Sequence, residues 1–452
     1  MRYVYLCVHK LGLLSERAKS SGRNCTSPTG KMNYQDTIDY LFNIAPLFQQ
    51  VGASAYKPGL SNTLTLDEHF GHPHQRYRTI HVAGTNGKGS CAHLLAAVLM
   101  ESGYRTGLYT SPHLVDFRER IRVDGQPCGK QYVIDFIDRE RPFFEPLHPS
   151  FFELTTAMAF EYFAEQQVDV AVIEVGLGGR LDCTNIICPD LSVITNISFD
   201  HVRFLGHTLS AIAAEKAGII KPRTPVVVGE YTDETRPVFE RRASELSAPI
   251  VFAQDRERGA FGLTGDGLEC ELGGLYQERN KHTVLTGLHE LLTRQAYHID
   301  EPGLRRGFAH VCRLTGLRGR WQQLGDKPRM VCDTGHNPGG MAYIARQLRE
   351  QTCRKLRIVI GVVNDKDVSS MLALLPHDAE YYFTRPSVHR ALPVEELIRY
   401  AESAGLHGRC LPDVPSAVHA ALAESDPDDF VFVGGSSYVV ADLLSEMDRA
   451  NA

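Results

Sequence analysis

At 452 residues, 43% of them hydrophobic and 23% charged, the chain has ordinary globular composition and is too long for one core, so two or three domains are expected. A formal net charge of −6 gives no overall attraction to nucleic acid or to an acidic membrane surface, although local arginines can still bind acidic small molecules. No apolar run approaches the roughly 20 residues of a membrane span, so no membrane partner is expected.

Residues 1–31 are basic (Arg2, Lys10, Arg17, Lys19, Arg23, Lys31), and their apolar run at 3–8 is cut by His9-Lys10, too short for a secretory segment. They read as a disordered or peripheral extension, with Met32 as the alternative start. A helix is expected from Met32, with Ile38, Leu41, Phe42 and Ile44 on one face. Lys57-Pro58-Gly59-Leu60-Ser61-Asn62-Thr63 then reads as a loop.

The stretch at 77–102 organises the rest. An apolar strand at 79–83 runs into Gly84-Thr85-Asn86-Gly87-Lys88-Gly89-Ser90, and a helix follows with Cys91, Leu94, Leu95, Val98 and Leu99 on one face and Gly103 as its cap. Strand, glycine-rich loop and helix form a phosphate cradle: loop amides and the helix N-terminus face the anion, and a lysine reaches the terminal phosphates. The spacing departs from the usual nucleotide loop. Two residues, not four, separate Gly84 from Gly87, and Gly89 intervenes before Ser90.

Beyond it, strands end repeatedly in polar residues. A strand at 105–110 ends in Ser111-Pro112-His113-Leu114, where Ser111 is either turn chemistry or a ligand for Mg²⁺, a hard ion that prefers oxygen. The segment Phe117-Arg118-Glu119-Arg120-Ile121 is charged and reads as facing substrate. Ser150 caps a helix to about Gln166 with Glu153 completing a capping box, while Phe151 and Phe152 are core residues by default or the lining of a flat aromatic pocket. The strand at 168–175 is nearly all apolar yet carries Glu174, a costly carboxylate unless paired or metal-bound, and metal is the favoured reading. The loop Gly176-Leu177-Gly178-Gly179-Arg180-Leu181-Asp182 follows as a second close approach of backbone to ligand. A strand at 191–197 leads to Asp200-His201. His201 is either structural or, on a strand neighbouring Ser111 and Glu174, a metal ligand or orienter. Lys216, on a helix at 208–217, is by default solvated; a buried or modified lysine is the alternative.

Strand and helix continue to alternate from Pro225, and Gln277-Glu278-Arg279-Asn280 opens a helix to about Arg294. A domain boundary is placed near Leu317-Arg318-Gly319-Arg320-Trp321-Gln322, after a less periodic segment. Strands at 329–332, 356–363, 380–384 and 430–433 alternate with helices, the last after Gly434-Gly435-Ser436, which argues a doubly wound sheet with functional loops at its carboxyl ends. The eleven cysteines are scattered and include no C-x-x-C pair, the usage of a reduced cytoplasmic protein.

Several of these motifs, in this order, resemble the folylpolyglutamate synthase and dihydrofolate synthase family of the Mur ligase superfamily. They are His81-Val82-Ala83-Gly84-Thr85-Asn86-Gly87-Lys88-Gly89-Ser90, Thr110-Ser111-Pro112-His113-Leu114, Glu174 through Asp182, Asp200-His201, Glu215-Lys216-Ala217-Gly218-Ile219-Ile220-Lys221, and Asp333 with His336-Asn337-Pro338. The extra Gly89 is itself this family's form of the loop. Cys183 stands where alanine is usual, Asp333-Thr334-Gly335-His336 replaces Asp-Gly-Ala-His, and Gly274-Leu275-Tyr276-Gln277 is a loose match.

The resemblance implies an α/β chain: an N-terminal P-loop ATPase domain with a mainly parallel sheet at 32–316 and a smaller Rossmann-like C-terminal glutamate-ligase domain at 317–452. It implies a ligase in which a substrate carboxylate takes the γ-phosphate of ATP and the amine of L-glutamate then displaces phosphate from the acyl phosphate. The acid would be dihydropteroate, a reduced folate, or both. Asn86, Gly87, Lys88, Gly89 and Ser90 would hold the phosphates. Asn280, Arg320, Asp333 and His336 would contact nucleotide from both domains. Ser111, Glu174 and His201 would ligate Mg²⁺ at two sites, with a monovalent cation as an option. Lys216 would be carbamylated, and Lys88, Lys216 and His201 would serve catalysis. Phe151, Phe152, Glu153, Leu181, Asp182 and Cys183 would face the pterin. A cytoplasmic monomer is expected. The alternatives are another amino-acid ligase of the superfamily and a nucleotide-switched binding protein.

Overall fold

Six apolar runs lie parallel in one sheet in the computed structural model of the chain, which describes residues 32–44, 59–257, 262, 267–364 and 366–451. Two compact units are distinguished: one over residues 38–318, the other over residues 319–451 together with 32–37. The first holds β1 (Arg78–Ala83), β2 (Thr106–Tyr109), β3 (Ile121–Val123), β4 (Gln126–Pro127), β5 (Val170–Glu174), β6 (Leu191–Ile194), β7 (Val226–Val228) and β8 (Ile250–Phe252). Their order is β4-β3-β2-β5-β1-β6-β7-β8, with β3 and β4 antiparallel at one edge. β5 is buried at every position and β1 at every position but Arg78, as continuous apolar runs covered on both faces require. The expected extension at 1–31, and Lys57 and Pro58 of the expected loop, lie outside the described residues.

Two expectations change. Ser61, Asn62 and Thr63 open a helix, Ser61–His69, instead of closing a loop. The helix after the glycine loop, Lys88–Glu101, is not amphipathic: every residue from Gly89 to Leu99 is buried. It packs on β1, β2 and β5, and also on the helices Gln277–Thr293, Glu301–Ala309 and Val311–Thr315. The last two lie in the stretch of weak periodicity. Gly103, at φ +87°, ends the loop helix as expected.

The second unit has its own sheet and core. Its strands are β9 (Gln322–Asp326), β10 (Arg329–Cys332), β11 (Leu356–Ile360), β12 (Glu380–Phe383), β13 (Gly408–Cys410) and β14 (Phe430–Gly434), in the order β13-β12-β11-β14-β10-β9. All neighbours are parallel except β9 with β10. Trp321 is buried against Phe430 and Phe432, with ring centroids 6.3 and 5.9 Å away. No helix among the described residues is long and apolar enough to cross a membrane.

Candidate active site

The glycine loop is shaped by what stands against it. Gly84 has φ +142°, and a Cβ there would lie 1.8 Å from Thr195 Oγ1. Gly87 caps the loop helix at φ +84°, and a Cβ there would lie 2.2 Å from Asn280 Oδ1. Both positions therefore demand glycine through conformation and through space. The residues after β6 brace the loop. Thr85 N–H donates to Asn196 O at 2.9 Å, Asn86 N–H to Asn196 Oδ1 at 3.0 Å, and Asn86 Nδ2 to Ser198 Oγ at 3.2 Å. On the helix side, Gln277 Nε2 donates to Ser90 Oγ at 3.1 Å, and Asn280 Nδ2 to Gln277 Oε1 at 2.8 Å. Lys88 Nζ donates to the carbonyls of Gly84 and Thr85, both at 3.1 Å. Sequence reasoning named Asn280 but missed Thr195, Asn196, Ser198 and Gln277. The polar run that closes β6 and the i−3 spacing of Gln277 from Asn280 were the available signals.

Lys216 reaches the same loop from the far side of the sheet end. Its helix, Leu209–Lys216, is capped by Thr208, whose hydroxyl accepts from Ala211 N–H at 3.1 Å. Nζ donates to Gly84 O at 2.9 Å with the side chain buried, so the solvated default is overturned. Burial, and then the positive charge of Lys88, push its pKa down to about 7. One carbonyl thus receives two lysine amines, one at the helix start and one from a buried helix end.

Ser111 and Glu174 meet where β2 and β5 end side by side: Ser111 N–H donates to Glu174 Oε2 at 3.0 Å. A hydroxyl and a buried carboxylate are hard oxygen donors, which suits Mg²⁺ and not a thiophilic metal. His201 does not stand on a strand neighbouring theirs. It follows β6, and β1 lies between β6 and β5. It adopts φ +50° and is partly exposed, with Nε2 3.9 Å from Asp200 Oδ1. Among the described residues no group of three or more His, Cys, Asp or Glu side chains is placed to hold a metal ion.

The aromatic and glycine-loop residues divide. The Ser150–Glu153 capping box forms, with Ser150 N–H donating to Glu153 Oε2 at 2.6 Å and Glu153 N–H to Ser150 Oγ at 3.2 Å. Phe152 is half-buried above Gly176, with its ring 5.8 Å from that of Tyr109. Phe151 is instead buried, 5.5 Å from the Phe42 ring and under the Arg120 guanidinium at 5.2 Å. The charged segment at 117–121 faces inward as well: Arg120 is buried and donates to His113 Nδ1 at 2.7 Å, and Asp116 and Glu119 close a capping box. Leu181 and Cys183 are half-buried, and burial pushes the Cys183 thiol well up. The Asp182 carboxylate is turned into its own loop, where it accepts from Leu177 N–H at 2.8 Å and Thr184 N–H at 3.0 Å.

In the second unit, Arg320, Asp333 and His336 gather after β10. Asp333 is buried and accepts from Trp321 N–H at 2.7 Å and Gly335 N–H at 2.8 Å. Arg320 donates to Thr334 Oγ1, and His336 Nδ1 lies 3.0 Å from Thr334 O.

Two family descriptions match the chain: the Mur ligase middle domain over residues 82–261 and the Mur ligase glutamate ligase domain over 319–437. The folylpolyglutamate synthase of Lacticaseibacillus casei is 32% identical over 91% of this chain and 97% of its own. The chain belongs to the folylpolyglutamate synthase/dihydrofolate synthase family. A family member from Haloferax volcanii, named a probable bifunctional folylpolyglutamate synthase/dihydropteroate synthase, is 34% identical over 93% of this chain, which spans about half (51%) of that protein's length. Among solved family structures, Escherichia coli FolC with DHPP and ADP superposes with a TM-score of 0.81 at 29% identity, covering 93% of this chain and 99% of that one. The bifunctional enzyme of Yersinia pestis with AMPPNP and a Mn ion gives 0.78 at 28% identity, over 94% and 100% of the two chains.

Proposed function

We propose that this chain adds L-glutamate to dihydropteroate and to reduced folates, using ATP to make an acyl phosphate of the acid. The observation that carries the reading is the glycine loop with two lysine amines on the Gly84 carbonyl, one of them buried and lowered to about 7. Phosphoryl transfer is positioning and charge neutralisation, and the loop amides with Lys88 supply both. The acid's carboxylate oxygen bonds to the γ-phosphorus as the bond to the bridging oxygen of ADP breaks. The glutamate amine then attacks the carbonyl carbon, loses a proton, and phosphate leaves.

Ser111, Glu174 and His201 would hold Mg²⁺, with Lys216 as a carbamate adding an anionic oxygen donor. The metal would neutralise phosphate charge when bound. Lys216 suits carbamylation because at neutral pH a large share of its amine is unprotonated. Phe152, Leu181 and Cys183 would face the pterin ring, while Phe151, Glu153 and Asp182 would shape that surface from beneath. Asn280 would contact the nucleotide beside Gly87, and Arg320, Asp333 and His336 would serve nucleotide or acyl phosphate from their own unit. The structures of the E. coli protein with DHPP and ADP, and of the Y. pestis enzyme with AMPPNP and Mn, support this ligand set. The protein would act in the cytoplasm as a monomer, without nucleic acid. The test is ADP release by the purified chain with glutamate, Mg²⁺ and either dihydropteroate or tetrahydrofolate. Stimulation by either acid supports a ligase and stimulation by both supports bifunctionality; a rate indifferent to both acids refutes the reading.

A further inference from the structure

A buried chain of hydrogen bonds, unused by the chemistry above, ties the loop of Leu181, Asp182 and Cys183 to the strand that carries the nucleotide loop. His81 lies on β1 just ahead of Gly84 and is fully buried, as is Thr184. Its Nε2 is 2.8 Å from Thr184 Oγ1. The Thr184 hydroxyl donates its single proton to Asp182 Oδ1, so Oγ1 accepts from His81 and the ring carries its proton on Nε2. Nδ1 has no hydrogen-bond partner among the described residues, in keeping with a neutral imidazole whose pKa burial, and then Lys221, lower to about 3. Asp182 in turn collects the amides of Gly176, Leu177 and Thr184. Its acceptor positions are directed at these amides and at the Thr184 hydroxyl.

We infer that His81 is a positioning residue for the acid substrate: through Thr184 it orients Asp182, and through Asp182 it sets the backbone path of residues 176–183. His81 is fully buried within β1, and its hydrogen bond goes to Thr184. One strand thereby holds the nucleotide loop at its end and the anchor of the acid-facing loop just before it, so the two loops share a rigid support. The inference rests on the proposed ligase function, and it extends that reading to a residue the family resemblance placed only within the loop motif.

The test uses the full chain in the ADP-release assay with dihydropteroate, ATP and glutamate varied in turn. His81→Leu and Thr184→Val should each raise KM for dihydropteroate about five- to tenfold, the worth of one buried hydrogen bond, while KM for ATP stays unchanged. The double variant should be no worse than the poorer single, because both break the same link. His81→Gln, whose amide N–H reaches toward the Nε2 position, should recover most of the affinity. KM for acid and ATP rising together, a fall in kcat alone, or additive losses in the double variant would overturn the inference. Thr184→Val, nearly isosteric, carries the comparison if His81→Leu does not fold. Amide hydrogen exchange at 176–183 reads the same link without activity: faster exchange in both His81→Leu and Thr184→Val, restored in His81→Gln, supports it, and exchange unchanged in His81→Leu overturns it. An inactive wild type would count against the ligase function, and exchange would still decide the role of His81.

Discussion

Lys216 offers a prediction that separates a reactive amine from an ordinary buried lysine. With its pKa lowered to about 7 by burial and by Lys88, roughly three-quarters of the amine is neutral at pH 7.5, against about one in a thousand for an unperturbed lysine. Only the neutral amine attacks CO₂, forming the N–C bond as a proton leaves, so the site should carbamylate several hundredfold more readily than surface lysines. The sign is fixed: the reactive fraction rises with pH through about 7 and falls to about one in ten at pH 6. Wild type equilibrated with ¹³C-bicarbonate at pH 7.5 should show a carbamate carbon resonance that fades toward pH 6 and is absent in Lys216→Met. In turnover, Lys216→Ala should be severely impaired and partly rescued by acetate or propionate. A carbamate signal that survives in Lys216→Met, or full activity of Lys216→Ala without rescue, would refute the reasoning.

Other perturbations read neighbouring parts of the site. Lys88→Ala should abolish acid-dependent ADP release, because a charge-assisted phosphate contact is lost; near-normal turnover would remove Lys88 from the mechanism. Gly87→Ala should raise KM for ATP at least about tenfold, since a left-handed non-glycine costs about 1–3 kcal/mol before the collision with Asn280 is counted. Gln277→Leu should weaken nucleotide binding about five- to tenfold by removing the donor to Ser90 Oγ, as measured by titration with ADP. His81 is neutral when folded and protonates near pH 6.5 when unfolded, so stability present above about 6.5 is lost as pH falls toward about 3. His81→Gln should flatten that loss in an acid titration followed by circular dichroism.

The strands were legible because burial on both faces writes a continuous apolar run. Val170 through Glu174 is the plainest case, and the Ser150–Glu153 capping box was readable from spacing alone. What could not be read is direction and surroundings. The loop helix looked amphipathic because only its large residues were counted; helices from distant sequence pack on it too, and Ala92, Ala96 and Ala97 are as buried as its leucines. Edge strands such as Gly408–Cys410, exposed at every position, carry no alternation to detect. Asp182 sat in a recognisable motif, yet sequence adjacency to Leu181 and Cys183 says nothing of where its carboxylate points, and three loop amides claim it.

The hydrogen bonds that shape the site converge on β1. Gly84, at its end, offers one carbonyl to Lys88 and Lys216, and His81, within it, reaches the Asp182 loop through Thr184. A strand bonded on both sides, to β5 and β6, is among the least deformable places in a sheet. Loops hung from it therefore keep their spacing when the phosphates change charge, which is what in-line transfer between two bound substrates requires.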